Sequence, residues 1–276
     1  MPNEKDKFKE TAKASMAVKA DRYKLYESSV QCAETEVDFV EYEFKKLRGR
    51  RAALLREDFC GTAAVCFEWA SRGRENTAIG VDIDGEVLNW ANENHLPQLK
   101  GTARSNVKLI RGDVLKVSTP QQDVILAMNF SYWLFKERKI LLAYFKKVRK
   151  NLEVDGIFFL DCFGGSDAYR ELKERTKLDG FTYVWDQAAY NPVNSDISCH
   201  IHFHFPDKSK LERAFTYDWR LWTLPEIREL LLEAGFSEVI IYAQAVDSVT
   251  EGPSQMEPVL SMDADLGWIA YVGALN

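Results

Sequence analysis

The sequence contains no run of 18 apolar residues, so we expect no transmembrane helix. Its first twenty residues, MPNEKDKFKETAKASMAVKA, hold several acids and no apolar stretch. That composition excludes a secretory signal and disfavours a transit peptide. We expect this segment to be a mobile arm or a frayed helix.

Cysteine is scarce, and no two cysteines form a CxxC pair. The five are Cys32, Cys60, Cys66, Cys162 and Cys199. An odd number at wide spacing fits reduced thiols better than a disulfide framework or a zinc site. We therefore expect a cytoplasmic protein without a metal centre.

Positive charge is also in short supply, with 36 Lys and Arg against 42 Asp and Glu, a formal net charge of −6. Nucleic-acid binding needs clustered cations that neutralise phosphates, so this balance disfavours such a partner. The 276 residues, 46% of them hydrophobic, suffice to bury a core. They predict one large domain or one domain with an insertion.

What the sequence does contain is an alternation of strand and helix patterns from residue 36 to residue 163. Amphipathic spacing predicts helices at 36–47, at 62–72, after Asp84 and at 136–150. Such alternation is typical of a parallel sheet covered by helices on both faces. Short apolar runs predict five strands at 52–59, 77–84, 106–115, 123–130 and 156–163.

The pattern changes after residue 165. A short helix is predicted at 166–177, and three β-rich runs separated by turn residues predict an antiparallel meander. These runs span 181–190, 197–205 and 211–222. Helical spacing returns at 223, where Thr223 and Glu226 predict a capping box. Two strands follow at 238–244 and 267–275, with a loop predicted between them.

Polar residues and glycines follow four of the predicted parallel strands, where open α/β sheets bind ligands. Gly61, without a Cβ, lets a ligand approach the backbone closely. Asp82 follows 21 residues later, near the offset at which an acid accepts ribose hydroxyl groups. Asp113 can accept from an adenine amino group, and the amide of Val114 can meet a ring nitrogen. Asn129 follows the fourth strand.

Five segments together resemble the sequential motifs of class I S-adenosylmethionine (SAM)-dependent methyltransferases: EDFCGTA, IGVDID, IRGDV, DVILAMNFSYWLF and DGIFFLDCF. The resemblance covers residues 50–165 and resumes at 223–276. It implies a Rossmann-like, seven-stranded, mostly parallel α/β sheet with helices on both faces and an antiparallel last strand. It also implies SAM as cofactor and an antiparallel β lid inserted after the fifth strand.

The same resemblance implies a division of the chain into three parts. Residues 1–50 would form an N-terminal arm and helical cap. Residues 51–165 and 223–276 would form the SAM-binding domain, and residues 166–222 the inserted β-meander lid. The lid would cover the pocket of a small-molecule acceptor.

The motif residues carry over position by position. Glu57 matches the first acid, although an alignment shifted by one residue would give that place to Asp58, so both stay candidates. Phe59 and Ala63 stand where the motif has its first and third glycines. A pyrophosphate would require those glycines, whereas SAM has no phosphate and can accept a single close approach. The implied cofactor-binding residues are Glu57, Asp58, Cys60, Gly61, Asp82, Ile83, Asp113, Val114 and Asn129.

The meander is rich in aromatic residues and carries three histidines on one strand. His200, His202 and His204 alternate in CHIHFHF and therefore share one face. The first and third lie about 13 Å apart, too far for a single metal ion. They either line a pocket by hydrogen bonding or have a solvated or structural role, and the aromatics either form a pocket or pack as core. The catalytic candidates are Tyr132, His202 and His204, with His200 and Asp186 as further possible bases.

Two functions fit the sequence. The first is a SAM-dependent methyltransferase that transfers a methyl group to an N, O or S atom of a small molecule. The alternative is a non-catalytic nucleoside-binding or protein-interaction member of the same fold, motivated by Phe59 and Ala63. The segment NFSY lacks the two prolines found in nucleobase methyltransferases, which disfavours that substrate. The oligomeric state stays open.

Overall fold

The computed structural model describes residues 14–244 and 256–276. Within these ranges the chain forms seven α-helices and twelve β-strands. The helices are α1 (Met16–Lys19), α2 (Arg22–Val30), α3 (Ala33–Arg48), α4 (Ala64–Arg72), α5 (Gly85–Asn94), α6 (Arg138–Lys150) and α7 (Leu224–Ala234). The strands are β1 (Leu54–Asp58), β2 (Thr77–Asp82), β3 (Val107–Arg111), β4 (Gln122–Ala127), β5 (Leu152–Gly164), β6 (Leu172–Leu178), β7 (Phe181–Asn191), β8 (Asp196–His204), β9 (Lys210–Arg220), β10 (Glu238–Gln244), β11 (Met256–Pro258) and β12 (Trp268–Leu275).

The main sheet has the order β11-β10-β12-β5-β4-β1-β2-β3. Strands β1 to β5 run parallel, and β12 lies antiparallel between β5 and β10. The predicted Rossmann-like, mostly parallel sheet is therefore confirmed. An eighth strand, β11, lies at the edge where the sequence predicts only a loop. Its three residues pair with β10 through the backbone and are too few to show a periodic pattern.

Helices cover both faces of this sheet, as the continuous apolar runs of its strands predict. The side chains of Ile157 and Phe159 pack with α3, α4 and α5, whereas Phe158 and Leu160 pack with α6 and α7. Alternate residues of each strand point to opposite faces, so each face receives its own core. The carboxyl ends of β1, β2, β3 and β4 consequently meet at one edge.

The second sheet has the order β6-β7-β8-β9 and is antiparallel throughout. The three predicted strands correspond to β7, β8 and β9, but the helix predicted at 166–177 is wrong. A short 3-10 helix at Ser166–Tyr169 leads instead into β6, which forms a hairpin with β7. Asp179 and Gly180, with Gly180 at φ +81°, form its two-residue loop. Strand β6 carries the charged side chains that are typical of an exposed edge strand. The Asp179-Gly180 turn that follows it favours a hairpin, and this preference outweighs the helical spacing of the residues before it.

The two faces of the second sheet have different neighbours. The inner face carries Trp219, whose ring lies 6.1 Å from Trp133 near the end of β4, and Phe215, whose ring lies 5.0 Å from Tyr26 on α2. Ile197 and Cys199 also join the core beneath. The outer face carries the histidines of β8. The second sheet thus places one aromatic face over the carboxyl ends of the main-sheet strands.

The N-terminal arm predicted for the first twenty residues falls partly on residues 1–13, which lie outside the described ranges. The described remainder is hydrogen-bonded rather than loose. The amide of Met16 donates to Asp207 at 2.8 Å, and that of Ala17 donates to the Ser209 hydroxyl at 3.0 Å. The described part of the arm therefore docks on the turn between β8 and β9.

The helix start signals in the sequence are confirmed. The carboxylate of Asp84 accepts from the amide of Glu86 at 2.8 Å and begins α5. Thr223 and Glu226 form a complete capping box at the start of α7. No helix of residues 14–244 or 256–276 is long and apolar enough to cross a membrane.

The capping box should account for a measurable part of the stability. Replacing Thr223 by Ala removes the hydroxyl that accepts from the Glu226 amide. We expect the free energy of unfolding in urea to fall by ~1 kcal/mol. Thr223→Ser keeps the hydroxyl and should stay close to wild type. Equal losses in the two variants would contradict the capping role.

Candidate functional site

The turn after β1 keeps the backbone of a glycine-rich loop although two of its glycines are replaced. Phe59, Gly61 and Ala63 have φ values of 58°, 53° and 57°, all in the left-handed region. A non-glycine residue there is disfavoured by about 1–2 kcal/mol, so the surrounding structure must impose the conformation. A Cβ on Gly61 would meet no atom within 4 Å. The backbone at Gly61 therefore faces open space that a ligand can fill.

Phe59 does not enter that space. Its ring packs against Phe135 and Tyr144, with ring centroids 5.9 and 5.7 Å away. Both partners belong to the core on the α6 face of the sheet. The substitution of the first glycine consequently changes the packing behind the loop and leaves its front open.

The loop is tied to the end of the neighbouring strand by Asp82. Its Oδ2 atom accepts from the amide of Gly61 at 2.8 Å, and its Oδ1 atom accepts from the amide of Asp84 at 2.9 Å. Burial raises the pKa of this carboxyl above its ordinary value. The next residue, Ile83, exposes 71% of its surface at the rim of the same edge. An acid and an exposed apolar side chain thus stand side by side.

Glu57 and Asp58, the two alternatives for the motif acid, point to opposite faces of the sheet. The carboxylate of Asp58 forms a two-pronged ion pair with Arg56 at 2.7 and 3.1 Å and is therefore engaged within the chain. It also accepts from the Tyr144 hydroxyl at 2.9 Å. Glu57 lies on the α4 face, where it accepts from the thiol of Cys66 at 3.2 Å. Burial raises the pKa of Glu57 to about 8.

The residues expected to meet the adenine lie at the end of β3. The carboxylate of Asp113 accepts from the amide of Leu115 at 2.9 Å and pairs with Lys116 at 3.1 Å. The backbone hydrogen bond from Leu115 lowers the pKa of Asp113. Val114 is buried in the core. Cys60 is also buried, and burial raises the pKa of its thiol, so it contributes packing and backbone rather than a reactive sulfur.

The loop after β4 is held by Asp161, which sequence reasoning missed. Its carboxylate accepts from the amides of Asn129 at 2.9 Å and Phe130 at 2.8 Å, and both of those residues have φ near 57°. Burial raises the pKa of Asp161 to about 7 despite these bonds. The sequence feature that could have identified Asp161 is the presence of an acid inside the apolar run GIFFLDCF. Asn129 is thereby fixed at the edge of the sheet where β1 and β4, two neighbouring parallel strands, both end.

Glu36, on the first turn of α3, is a second residue that sequence reasoning missed. Its side chain is 8% exposed, and its Oε2 atom is buried without a hydrogen-bond partner. Burial first, and then the charges of Glu57 and Asp161, raise its pKa well above the ordinary value. No sequence pattern marks Glu36 as a site residue, since first-turn acids are common in solvent-exposed helices.

The three predicted catalytic residues do not join these groups. Tyr132 is fully buried, and its hydroxyl donates to the backbone carbonyl of Asp161 at 2.7 Å. Burial raises the pKa of Tyr132 well above its ordinary value, which makes it a poor base. His202 and His204 lie on the outer face of the second sheet. His202 contacts Asp186 at 3.2 Å and Glu212 through its other nitrogen.

The outer histidine face forms a network of its own. His204 lies 3.2 Å from Arg175, and His200 lies 3.0 Å from the hydroxyl of Thr216. No group of three His, Cys, Asp or Glu side chains within residues 14–244 and 256–276 is arranged to hold a metal ion. These contacts match the structural alternative that the sequence left open for the histidines.

The raised pKa of Glu57 should appear in the pH dependence of stability. Above pH ~4.5 the folded chain keeps a proton on Glu57 that the unfolded chain releases, so stability should fall as pH rises toward 8. Glu57→Gln should flatten this slope by up to ~1.4 kcal/mol per pH unit. Urea unfolding between pH 5 and 8 measures it. Glu75→Gln, at an exposed position, serves as the control, and equal slopes in the two variants would contradict the buried assignment.

The assignment of Asp58 to Arg56 predicts a large stability loss. Asp58→Ala leaves the guanidinium of Arg56 buried without its carboxylate, which should lower the free energy of unfolding by about 3–5 kcal/mol. Asp155→Ala removes a carboxylate whose side chain is 43% exposed and should lose less than about 1 kcal/mol. Chemical denaturation of both variants tests this, and a small loss for Asp58→Ala would refute the structural role.

No protein-family model matches the chain, and no curated protein matches its sequence. Solved structures do match it. A SAM-dependent methyltransferase from Clostridium acetobutylicum ATCC 824 gives a TM-score of 0.66 at 16% identity, over 92% of this chain and 97% of that one. An amino pentose methyltransferase from Micromonospora echinaspora, solved with SAM bound, gives 0.64 at 14% identity, over 93% and 98%.

A sugar N-methyltransferase from Streptoalloteichus sp ATCC 53650 gives a TM-score of 0.61 at 12% identity, over 92% of each chain. All three similarities extend over nearly the whole of both chains, so the match includes the second sheet as well as the main one. At these identities they establish the architecture rather than the chemistry. The chain has the fold of the SAM-dependent methyltransferases.

Proposed function

We propose that this protein is a SAM-dependent methyltransferase that acts on a small-molecule acceptor. One observation carries the proposal: the left-handed loop at Phe59, Gly61 and Ala63 is fixed to Asp82 through the Gly61 amide. This arrangement joins an open backbone turn to an acid at the next strand end. The open turn lets a nucleoside ligand without phosphates approach the backbone, and the carboxylate of Asp82, 21 residues after Gly61, can accept from its ribose hydroxyls.

The residues at this edge fit the parts of SAM. The carboxylate of Asp82 has lone pairs left for two ribose hydroxyls, and exposed Ile83 offers an apolar surface for a purine ring. Asp113, which follows β3, would accept from the adenine amino group. Glu57 and Gly61 line the side where the methionine part would lie. When bound, SAM supplies a methyl group on a positively charged sulfur.

The contribution of the chain to methyl transfer is alignment and exclusion of water. The aromatic inner face of the second sheet, with Trp185, Tyr217 and Trp219, would close over the acceptor as a lid. Residues 166–222 would form this lid, residues 1–50 the N-terminal cap, and the remainder the cofactor domain. Tyr132, His202 and His204 take no part in the proposed reaction, because Tyr132 is fully buried and the two histidines lie on the outer face of the second sheet.

The acceptor is expected to be a small polar molecule. Two of the similar structures are described as acting on an amino pentose and as a sugar N-methyltransferase, which by analogy favours a nitrogen acceptor. The net negative charge disfavours a nucleic acid, and the separate, reduced cysteines favour a cytoplasmic location.

Calorimetric titration with S-adenosylhomocysteine (SAH), the demethylated cofactor, tests the site. Asp82→Ala removes the acceptor for the ribose hydroxyls and the anchor of Gly61, so we expect the Kd to rise ~10- to 100-fold. Asp155→Ala, at the opposite end of the sheet, should bind like wild type. No binding of SAH or SAM to folded wild-type protein at high micromolar concentration would refute the proposed function. Unchanged binding by Asp82→Ala would refute the ribose assignment alone.

A further inference from the structure

Three buried carboxylates lie close together on the α3 face of the main sheet. Glu36, Glu57 and Asp161 are 8%, 5% and 5% exposed. Among the residues that the structure describes, no Lys, Arg or His forms an ion pair with any of the three. Buried anions without a cation are strongly disfavoured, so these groups either keep protons or receive a positive charge from a ligand.

The three carboxylates differ in what already binds them. Glu57 accepts from a thiol, and Asp161 accepts from two backbone amides. Glu36 differs because its Oε2 atom is buried and has no hydrogen-bond partner. A buried acceptor left unsatisfied is uncommon in a folded protein and calls for a partner. Glu36 is therefore the group with capacity for a donor that the chain itself does not provide.

The titratable groups that act on Glu36 come from several different elements. Glu57 on β1, Asp161 on β5 and Cys32 at the start of its own helix each raise its pKa. Two tyrosines complete the surroundings: Tyr26 on α2 and Tyr271 on β12, each close enough for Glu36 and Asp161 to raise its pKa. The titratable groups that act most strongly on Glu36 are thus acidic, and none of them supplies a positive charge.

Tyr26 connects this acidic group to the aromatic face of the second sheet. Its ring lies 5.0 Å from that of Phe215, and its hydroxyl is close enough to Tyr217 for that residue to affect its pKa. The ring of Tyr217 in turn stacks on Trp219 at 4.4 Å. Carboxylates at one end and aromatic rings at the other form the environment that recognises an organic ammonium, through charge-assisted hydrogen bonds and cation–π attraction.

We propose that Glu36 binds the acceptor of the methyl group, that this acceptor is a primary or secondary amine, and that Glu36 takes its proton. This inference rests on the proposed function and narrows its substrate to amines. The amine enters as an ammonium ion and donates to the free Oε2 atom. Asp161 adds negative charge beside it while it holds the loop after β4.

The proton balance is simple. One N–H bond of the ammonium breaks, the proton passes to the carboxylate of Glu36, and the electron pair stays on nitrogen. That pair forms the new N–C bond with the methyl group supplied by SAM, while sulfur retains the C–S pair. The methylated amine leaves with one positive charge, and Glu36 keeps the proton it has taken, which restores its protonated resting state; the proton released when the ammonium bound is the net proton of the reaction. The raised pKa of Glu36 suits a group that must accept this proton.

Binding of a matched pair of probes to the SAH-loaded protein tests the inference. Cyclohexylamine and cyclohexanol share a ring and differ in the ammonium and hydroxyl groups. We expect wild type to bind the amine at least ~10-fold more tightly at pH 7, a difference of ~1.4 kcal/mol. Titration in buffers of different ionisation heat should show release of about one proton per amine bound, because protonated Glu36 ionises when the ammonium arrives.

Variants on α3 provide a matched comparison. Glu36→Gln keeps the shape and removes the charge, so it should retain SAH affinity and lose both the amine preference and the proton release. Glu43→Gln alters a glutamate of the same helix, 2% exposed and also with an unpartnered Oε2, but two turns farther along. It should retain both properties. Amine preference that persists in Glu36→Gln, or that is lost equally in Glu43→Gln, would overturn the inference.

Two further outcomes separate this inference from the function on which it rests. Wild type that binds SAH without preferring the amine overturns the role of Glu36 and leaves the methyltransferase proposal standing. Wild type that binds no SAH refutes that proposal first. If Glu36→Gln does not fold, 13C NMR of glutamate carboxyls in wild type decides, with the signal of Glu57, the other glutamate with a raised pKa, identified by its loss in Glu57→Gln. A carboxyl that titrates well above the ordinary range and ionises when cyclohexylamine is added supports the proposal, and its absence overturns it.

Discussion

The hydrogen bond from the Gly61 amide to the carboxylate of Asp82 is the interaction on which the site depends. It joins the turn after β1 to the end of β2 at 2.8 Å and holds Gly61 in its left-handed conformation. The turn can then tolerate Phe59 and Ala63, because its shape is fixed by a neighbouring strand and by packing behind it rather than by glycine alone. Phe59 and Ala63, the two replaced glycines that motivated a non-catalytic alternative, therefore leave the backbone conformation of the loop unaltered.

The alternation of side chains along β1 separates structural charge from site charge. Arg56 and Asp58 point to the α6 face, where they neutralise each other and Asp58 accepts from the Tyr144 hydroxyl. Glu57 points to the α3 face, where Asp161 and Glu36 also lie and no cation is paired with them. Two adjacent acids thus have opposite roles, one stabilised by a partner in the chain and the other left to be stabilised by a ligand.

The second sheet shows the same separation by face. Its outer histidines bind acids, an arginine and a threonine of the same sheet, whereas its inner aromatics meet α2 and the loop after β4. Tyr26 links that aromatic face to the buried carboxylates. An amine acceptor would therefore meet rings on one side and negative charge on the other, with the methyl donor at the adjoining strand ends.

Sequence alone determined the order of strands and helices in the main sheet apart from its edge strand β11, the helix caps at Asp84 and Thr223, and the placement of Gly61, Asp82 and Ile83 at one edge, since periodicity and turn chemistry are local. It did not decide between Glu57 and Asp58, because both lie at the end of β1 and only the helices that cover the sheet make its two faces different. It also missed the hairpin at 172–187, where charged residues have helical spacing. Glu36 and Asp161 were found only in the tertiary structure, because they are 125 residues apart in sequence. What marks them as site candidates is that both are buried on the same face of the sheet and neither forms an ion pair with a cation of the described residues. That juxtaposition depends on the packing of α3 against β5, a long-range contact that no local pattern encodes.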